Sequence, residues 1–443
     1  RSGRTIVSER RDAEHGASEQ GNANALRTRG IRSRTPLAAI AAALIVALLG
    51  AGLFGVLESR ARHPHETITK TNQAHTGTAP VLTLDPKVTL DPKTGYPPNT
   101  IFSGIQMLSA NDGWAVGGWN QGTNSNDNKN GIVIAHYADG AWTLVFDDES
   151  GYSLDSVSLD APNDGWAVGG FGALMHYSDG TWSAVSSPNI SYRMSLNKVQ
   201  MLSKTEGWIL VNDNEFLHYL NGAWTTVPAP VAGLKDFSLD SAGHGWAVGS
   251  TATTQLAQYV NGQWQAFRQA PSEELLSVSS LSPTDAWATG YPIGCPCQTT
   301  PASSASGANA SNHQSALAIN RPMNGMVGMN ILHFDGARWS KVPLAVPMYD
   351  NFGFITMLSA NEGWALGVTV PSPNGPGYTL ALHYQNGAWQ VTNLHLEGQI
   401  NAGSFTAAND GWAIGGDGTG APGSGGAPLF LHYHNGVWSV YHH

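Results

Sequence analysis

The chain has 443 residues, with 22 Lys plus Arg against 32 Asp plus Glu, and two cysteines, Cys295 and Cys297. The charge is uneven: residues 1–62 carry +5 and residues 63–443 carry −15. An acidic globular part excludes nucleic acid as the expected partner, because phosphate neutralisation needs clustered Lys and Arg. Two cysteines exclude a disulfide framework.

Residues 1–35 are polar and basic without apolar periodicity, and read as a disordered cytoplasmic tail. Residues 36–57 follow as a predicted transmembrane anchor. Their apolar run, LAAIAAALIVALLGAGLFGVL, is twenty-one residues long, about 31 Å as a helix and enough for a bilayer core of about 30 Å. Arg27, Arg29, Arg32 and Arg34 precede it closely, which favours the amino terminus inside and the rest outside the cytoplasm. A signal peptide is the competing reading, but its apolar stretch is usually shorter and needs a small-residue cleavage site. The expected localisation is therefore the cell membrane, single-pass, with an extracytoplasmic domain. Residues 58–98, rich in Thr, Pro, Lys and His, read as a stalk. The alternation in residues 81–90 is also compatible with an added edge strand.

From residue 99 onward the chain repeats itself. Fourteen of its fifteen tryptophans form two alternating series of seven. The first is Trp114, Trp166, Trp208, Trp246, Trp287, Trp364 and Trp412, in phrases such as NDGWAVGG. The second is Trp142, Trp182, Trp224, Trp264, Trp339, Trp389 and Trp438, closing phrases such as HYADGAW. Each unit predicts four short strands, a to d. An Asp-Gly or Asn-Gly pair stands before every second-series Trp, a dipeptide that favours the two-residue hairpin. The expected fold is all-β: a seven-bladed β-propeller of four-stranded antiparallel blades over 99–443, preceded by one transmembrane helix, with a disordered insert at about 292–328. The repeat tryptophans are expected to pack between neighbouring sheets. His136, His176, His218, His333, His383 and His432 occupy one repeat position, with Gln258 in the fourth copy. Equivalent positions are spread around a ring, so these histidines are expected to be hydrogen-bonded on their strands and not to share one metal centre. No metal and no cofactor is expected. The pair in GCPCQTT can form a local disulfide or bind a soft metal with His313.

The VGG, HY and DG-x-W elements resemble two families of propeller. Their Gly-Gly, Tyr, Trp order is similar to the kelch repeat. The Asp-Gly hairpin closed by Trp resembles a relaxed Asp-box, as in sialidase-like (BNR) propellers and the seven-bladed photosystem II assembly factor. Tyr stands where the Asp-box has Ser or Thr, and Asp abuts Gly directly. The Tyr-to-Trp spacing is five residues, shorter than in kelch. The resemblance covers about residues 101–443 and implies a bacterial extracytoplasmic propeller. It does not imply one activity, because propellers host many.

Strand order places the a–b and c–d hairpins on one face and the b–c and d–a connections on the other. The hairpins are uniformly short, whereas the b–c loops at 118–131, 291–328, 368–378 and 416–428 are long, so function is expected on the second face. Candidate ligand-binding residues there are Trp119, Asp127, Asp147, Asp148, Glu149, Tyr152, Tyr192 and Tyr349. Tyr291 and Tyr378 are further aromatics off the repeat grid. Stacking aromatics with carboxylates suit a carbohydrate, and Asp147, Asp148 and Glu149 have the chemistry of a Ca²⁺ loop. Enzyme readings meet obstacles. Only four arginines follow residue 101 (Arg193, Arg268, Arg321, Arg338), too dispersed for a sialidase carboxylate clamp. No G-x-S-x-G, phosphate loop or H-E-x-x-H is present. The expected function is a membrane-anchored extracytoplasmic module binding a protein or surface glycan. The alternative is a carbohydrate-active hydrolase or lyase on the same face.

Overall fold

Each of the seven repeats folds as an antiparallel meander, a-b-c-d, and the meanders follow one another around a ring. The blades span 101–147, 154–184, 196–228, 234–266, 273–342, 350–397 and 399–440. The computed structural model describes residues 95–120, 129–293, 328–344, 350–369, 378–417 and 427–441. The expected tail, anchor and nearly all of the stalk lie outside the described residues. So do the insert at 294–327, Cys295, Cys297, Asp127 and Tyr349. Among the described residues no helix is long and apolar enough to cross a membrane. Residues Thr78–His443 form one unit, which holds the whole ring.

The two tryptophan series meet between blades. Strand-b Trp114 of blade 1 lies edge-to-face against strand-d Trp182 of blade 2, with ring centroids 5.5 Å apart and planes at 75°. The same contact recurs as Trp166–Trp224, Trp208–Trp264, Trp246–Trp339, Trp287–Trp389 and Trp364–Trp438. Trp412 of blade 7 then meets Trp142 of blade 1 at 5.5 Å and 84°, closing the ring. All seven strand-b rings are at most 4% exposed. The HY tyrosine wedges between them, as Tyr177 does against both Trp114 and Trp182. T-shaped geometry sets the positive edge of one ring on the negative face of the other, about 0.5–1.5 kcal/mol per pair beyond burial.

The histidines are explained by the same grid. His136 stacks on its own blade's Trp114 (4.1 Å, 15°) and sets Nε2 2.8 Å from the Asp112 carboxylate. Blades 2, 3, 5, 6 and 7 repeat this with Asp164–His176, Glu206–His218, Asp285–His333, Glu362–His383 and Asp410–His432. In blade 4 both partners change together. His244 replaces the acid and Gln258 replaces the histidine, and His244 turns to Asp240 of its own a–b turn at 3.4 Å.

The hairpins obey the dipeptide rule in six blades. Asp139, Asp179, Asn221, Asn261, Asn386 and Asn435 all have φ of 49–53°, and the Gly after each is also positive. Blade 5 departs from the expectation. Asp335-Gly336 sits one residue earlier relative to its strand-c aromatic Phe334, so Asp335 is not in the left-handed region. Its Oδ1 accepts the N–H groups of Ala337 and Arg338 at 2.9 Å each, which holds its carboxyl below the usual range. The Gly of WAVG has a separate cause. Strand a bulges at its second or third residue, and a Cβ on Gly117 or Gly415 would stand 2.0 Å from Ile101 O or 1.7 Å from Gln399 O.

Strand a lines the centre of the ring, and its polar residues tie each blade to the next. Ser158 Oγ accepts Met201 N–H, Ser279 Oγ accepts Met357 N–H, and Ser404 Oγ accepts Met107 N–H, all at 2.9 Å. Gln106 and Gln200 bridge both backbone groups of Leu159 and Leu239. Every blade draws its four strands from one repeat, so closure rests on side-chain contacts. These are the Trp412–Trp142 pair, the Ser404–Met107 bond, Asn401 Nδ2 to Phe102 O (2.9 Å), and a cluster of Tyr96, Phe102 and Phe430.

Candidate functional site

Connections b–c and d–a share one face, and those at 148–153, 170–172 and 185–195 lie where blades 1, 2 and 3 meet. The link from blade 1 to blade 2 is an Asx turn. Asp148 Oδ1 accepts Ile132 N–H at 2.8 Å, Ser150 N–H at 3.2 Å and the Ser150 hydroxyl at 2.8 Å. Gly151, at φ 81°, then donates its N–H to Asn130 O and turns the chain outward. Tyr152 emerges 40% exposed.

Beside it lies the short b–c loop of blade 2, Gly170–Gly172, with Phe171 at φ 56°. A phenylalanine in the left-handed region is uncommon and carries a steric cost of about 1–2 kcal/mol. The loop is held there by the neighbouring link: Gly172 donates its N–H to Met194 O at 2.7 Å, and a Cβ on Gly172 would meet Ser191 O at 2.5 Å. Phe171 thus stays half-buried, 6.1 Å from the Tyr152 ring. On the adjoining link Tyr192 is 65% exposed, the highest value among the large apolar residues described. Arg193 Nε donates to the Tyr192 hydroxyl at 3.1 Å, with the guanidinium 5.6 Å from the ring centroid. Tyr152 and Phe171 pair beside the blade 1–2 link, and Tyr192 with Arg193 stands on the link that holds the Phe171 loop; these three aromatics and one cation make up the aromatic patch of this face.

The other expected site residues fall elsewhere. Trp119 lies on strand b of blade 1, 3% exposed, and its indole donates to Asp148 O at 2.9 Å. It packs in the core and offers no face to a sugar. Asp147 is buried at the end of strand d. Glu149 pairs with Lys129 at 2.9 Å. Asp147, Asp148 and Glu149 therefore do not converge: one is turned inward, one holds a turn and one is in an ion pair. Tyr291 packs on the blade 5–6 core, and Tyr378 meets His395 edge-on at 6.5 Å. Phe171 and Arg193 were not among the expected site residues. The signal for Phe171 is a large apolar residue in a three-residue Gly-Phe-Gly loop, where a polar one is the rule.

No protein-family profile matches the chain, and no curated protein matches it. Solved structures do. The structure of YCF48 bound to D1 peptide aligns with a TM-score of 0.51 at 17% identity, over 77% of this chain and 95% of that one. YCF48 from Cyanidioschyzon merolae aligns with a TM-score of 0.51 at 15% identity, over 77% and 98%. These likenesses are of fold. Fold and repeat together define the class: a seven-bladed β-propeller with four-stranded antiparallel blades.

Proposed function

We propose that the protein is a membrane-anchored extracytoplasmic propeller that binds a protein segment on the face formed by blades 1 to 3. The observation that carries this reading is the patch on the connections of blades 1 to 3, where Tyr152, Tyr192 and Arg193 are exposed beside a half-buried Phe171 kept at φ 56°. Aromatic residues and Arg are the side chains that dominate protein–protein contacts. A protein is favoured over a glycan because Asp148 and Glu149 are engaged in holding their own loop and in an ion pair. The fold is compatible with this use, since a similar propeller has been solved with a peptide bound.

The test is a random peptide library panned on the full chain, followed by titration of the enriched peptide. Tyr192→Ala and Arg193→Ala should each weaken binding about tenfold to a hundredfold. Leu220→Ser and Val437→Ser, exposed on the opposite face, should not. Equal affinity across all four variants overturns the reading. Anchoring is tested separately by protease on intact cells: the propeller should be degraded and residues 1–35 spared, and a protected propeller refutes it.

A further inference from the structure

The acid–histidine pair recurs in six blades, but blade 7 adds something to it. On strand c of this blade, Pro428–His434, residues 432 and 434 point to the same side of the sheet. The register sets His432 opposite Trp412 and His434 opposite Asp410 of strand b, Asp410–Gly416. The equivalents of His434 in blades 1, 2, 3, 5 and 6 are Ala138, Ser178, Leu220, Asp335 and Gln385. We propose that Asp410, His432 and His434 form a binding site for a divalent metal ion of the zinc class, on the face opposite the aromatic patch.

The geometry fits such an ion. Asp410 Oδ2 lies 3.2 Å from His432 Nε2 and 2.9 Å from His434 Nδ1. All three ligand atoms lie within 4.8 Å of one another, the only such grouping of three among the described residues. Zinc bonds of about 2.1 Å in a tetrahedron set ligand atoms roughly 3.4 Å apart, so the Asp410 oxygen needs to draw back from each nitrogen by only a few tenths of an ångström. His432 is fixed by stacking on Trp412 at 4.2 Å and 9°. Asp410 is buried, with the Thr406 hydroxyl 3.4 Å from its other oxygen. The His434 side chain is 58% exposed, which provides an entry path and leaves a fourth position to water. Two imidazoles and one carboxylate without a thiolate suit zinc over softer ions.

The surrounding amides can serve both states. Without metal, His434 Nδ1–H donates to Asp410, and Nε2 accepts from Asn435 Nδ2 at 2.8 Å. Asn409 Nδ2 in turn donates to Asn435 Oδ1 at 2.8 Å. Metal at Nδ1 moves the ring proton to Nε2. Turning over the Asn435 and Asn409 amides then presents an oxygen to that proton and preserves the chain, as outer partners of metal-bound histidines do. The ion would pin strand b to strand c beside Trp412, the ring that meets blade 1 at the closing seam. Its role is to stabilise closure and not to carry out catalysis.

The experiment uses the full chain without an affinity tag, with Zn²⁺ alone in a non-chelating buffer at pH 7.5, read by titration calorimetry and thermal melting. One ion per chain is expected, with Tm raised by about 4 °C at a hundredfold excess over Kd. His434→Gln copies blade 6, where Gln385 Nε2 donates to Glu362 at 3.3 Å, so it keeps the hydrogen bond and removes the ligand. It should leave the metal-free Tm unchanged and weaken zinc binding more than tenfold. Asp410→Asn should also weaken binding, and the His442→Ala, His443→Ala double variant should not. No binding at about 0.1 mM zinc, binding unaffected by His434→Gln, or binding lost with the terminal histidines overturns the proposal.

Discussion

If the ring closes by side-chain contacts alone, the seam between blades 7 and 1 should behave energetically like any interior junction. Trp412 is fully buried and touches Trp142 (5.5 Å), Tyr137 (4.8 Å), His432 (4.2 Å) and Tyr441 (5.6 Å). Trp412→Ala removes all four contacts and leaves a cavity, which costs about 3–5 kcal/mol. The propeller's unfolding entropy, at about 2.1 cal/mol/K per residue, is roughly 0.7 kcal/mol/K, so Tm should fall by about 4–7 °C. Trp142→Ala loses the Trp412 contact together with Phe430 at 4.9 Å and should cost a similar amount. The double variant should be milder than the sum by about 0.5–1.5 kcal/mol, the worth of the shared edge-to-face pair. The same cycle on Trp166 and Trp224, an interior junction at 5.4 Å and 89°, should return the same coupling. Chemical unfolding of the six single and double variants measures both. Additivity within about 0.3–0.5 kcal/mol at the seam, against coupling at the interior pair, refutes closure by this contact.

Burial pushes the Asp155 carboxyl up to about 7. A carboxyl raised in the folded state takes up a proton on folding between about pH 4 and 7, so its contribution to stability falls as pH rises through that window and is constant above it. Asp155→Asn should therefore gain on the native chain from pH 4 to pH 7, by at most about 4 kcal/mol; a difference that does not change with pH refutes the cause. Gly415→Ala should destabilise by more than about 2 kcal/mol, because its Cβ would stand 1.7 Å from the Gln399 carbonyl. Gly170→Ala, with nothing within 4 Å, should stay within about 0.5 kcal/mol, and urea unfolding compares the two.

Blade number, strand order and turn type were legible because one unit is written seven times and each copy checks the others. A tryptophan at a fixed offset has the same neighbours in every blade, so Trp114 and Trp412 could be assigned together. The same periodicity explains why the histidines read as strand residues. Blade 7 escaped because its distinguishing residue, His434, lies next to the repeated position, and only pairing across the sheet shows that it faces Asp410. The candidate ligand face was harder to read. Trp119 lies off the repeat grid and so looks functional, yet it is buried: Gly131 leaves room for its indole, which meets Asp148 O. The three consecutive acids at 147–149 look like a cluster in one dimension, but alternation along the chain end sends them to different partners. Tyr152 and Tyr192 lie in links off the repeat grid, where no packing position claims them, and both are exposed. Phe171 depends on how a loop from one blade docks on a link from the next, which no repeat encodes.

The proposed binding of a protein segment falls on the face where blades 1, 2 and 3 meet. Amide hydrogen exchange of the full chain, with and without a saturating library-selected peptide, tests it most directly. Slowed exchange is expected in 148–153, 170–172 and 191–194, with the c–d hairpins at 139–140, 179–180 and 221–222 unchanged. Protection confined to those hairpins, or to blades 4 to 7, would contradict it.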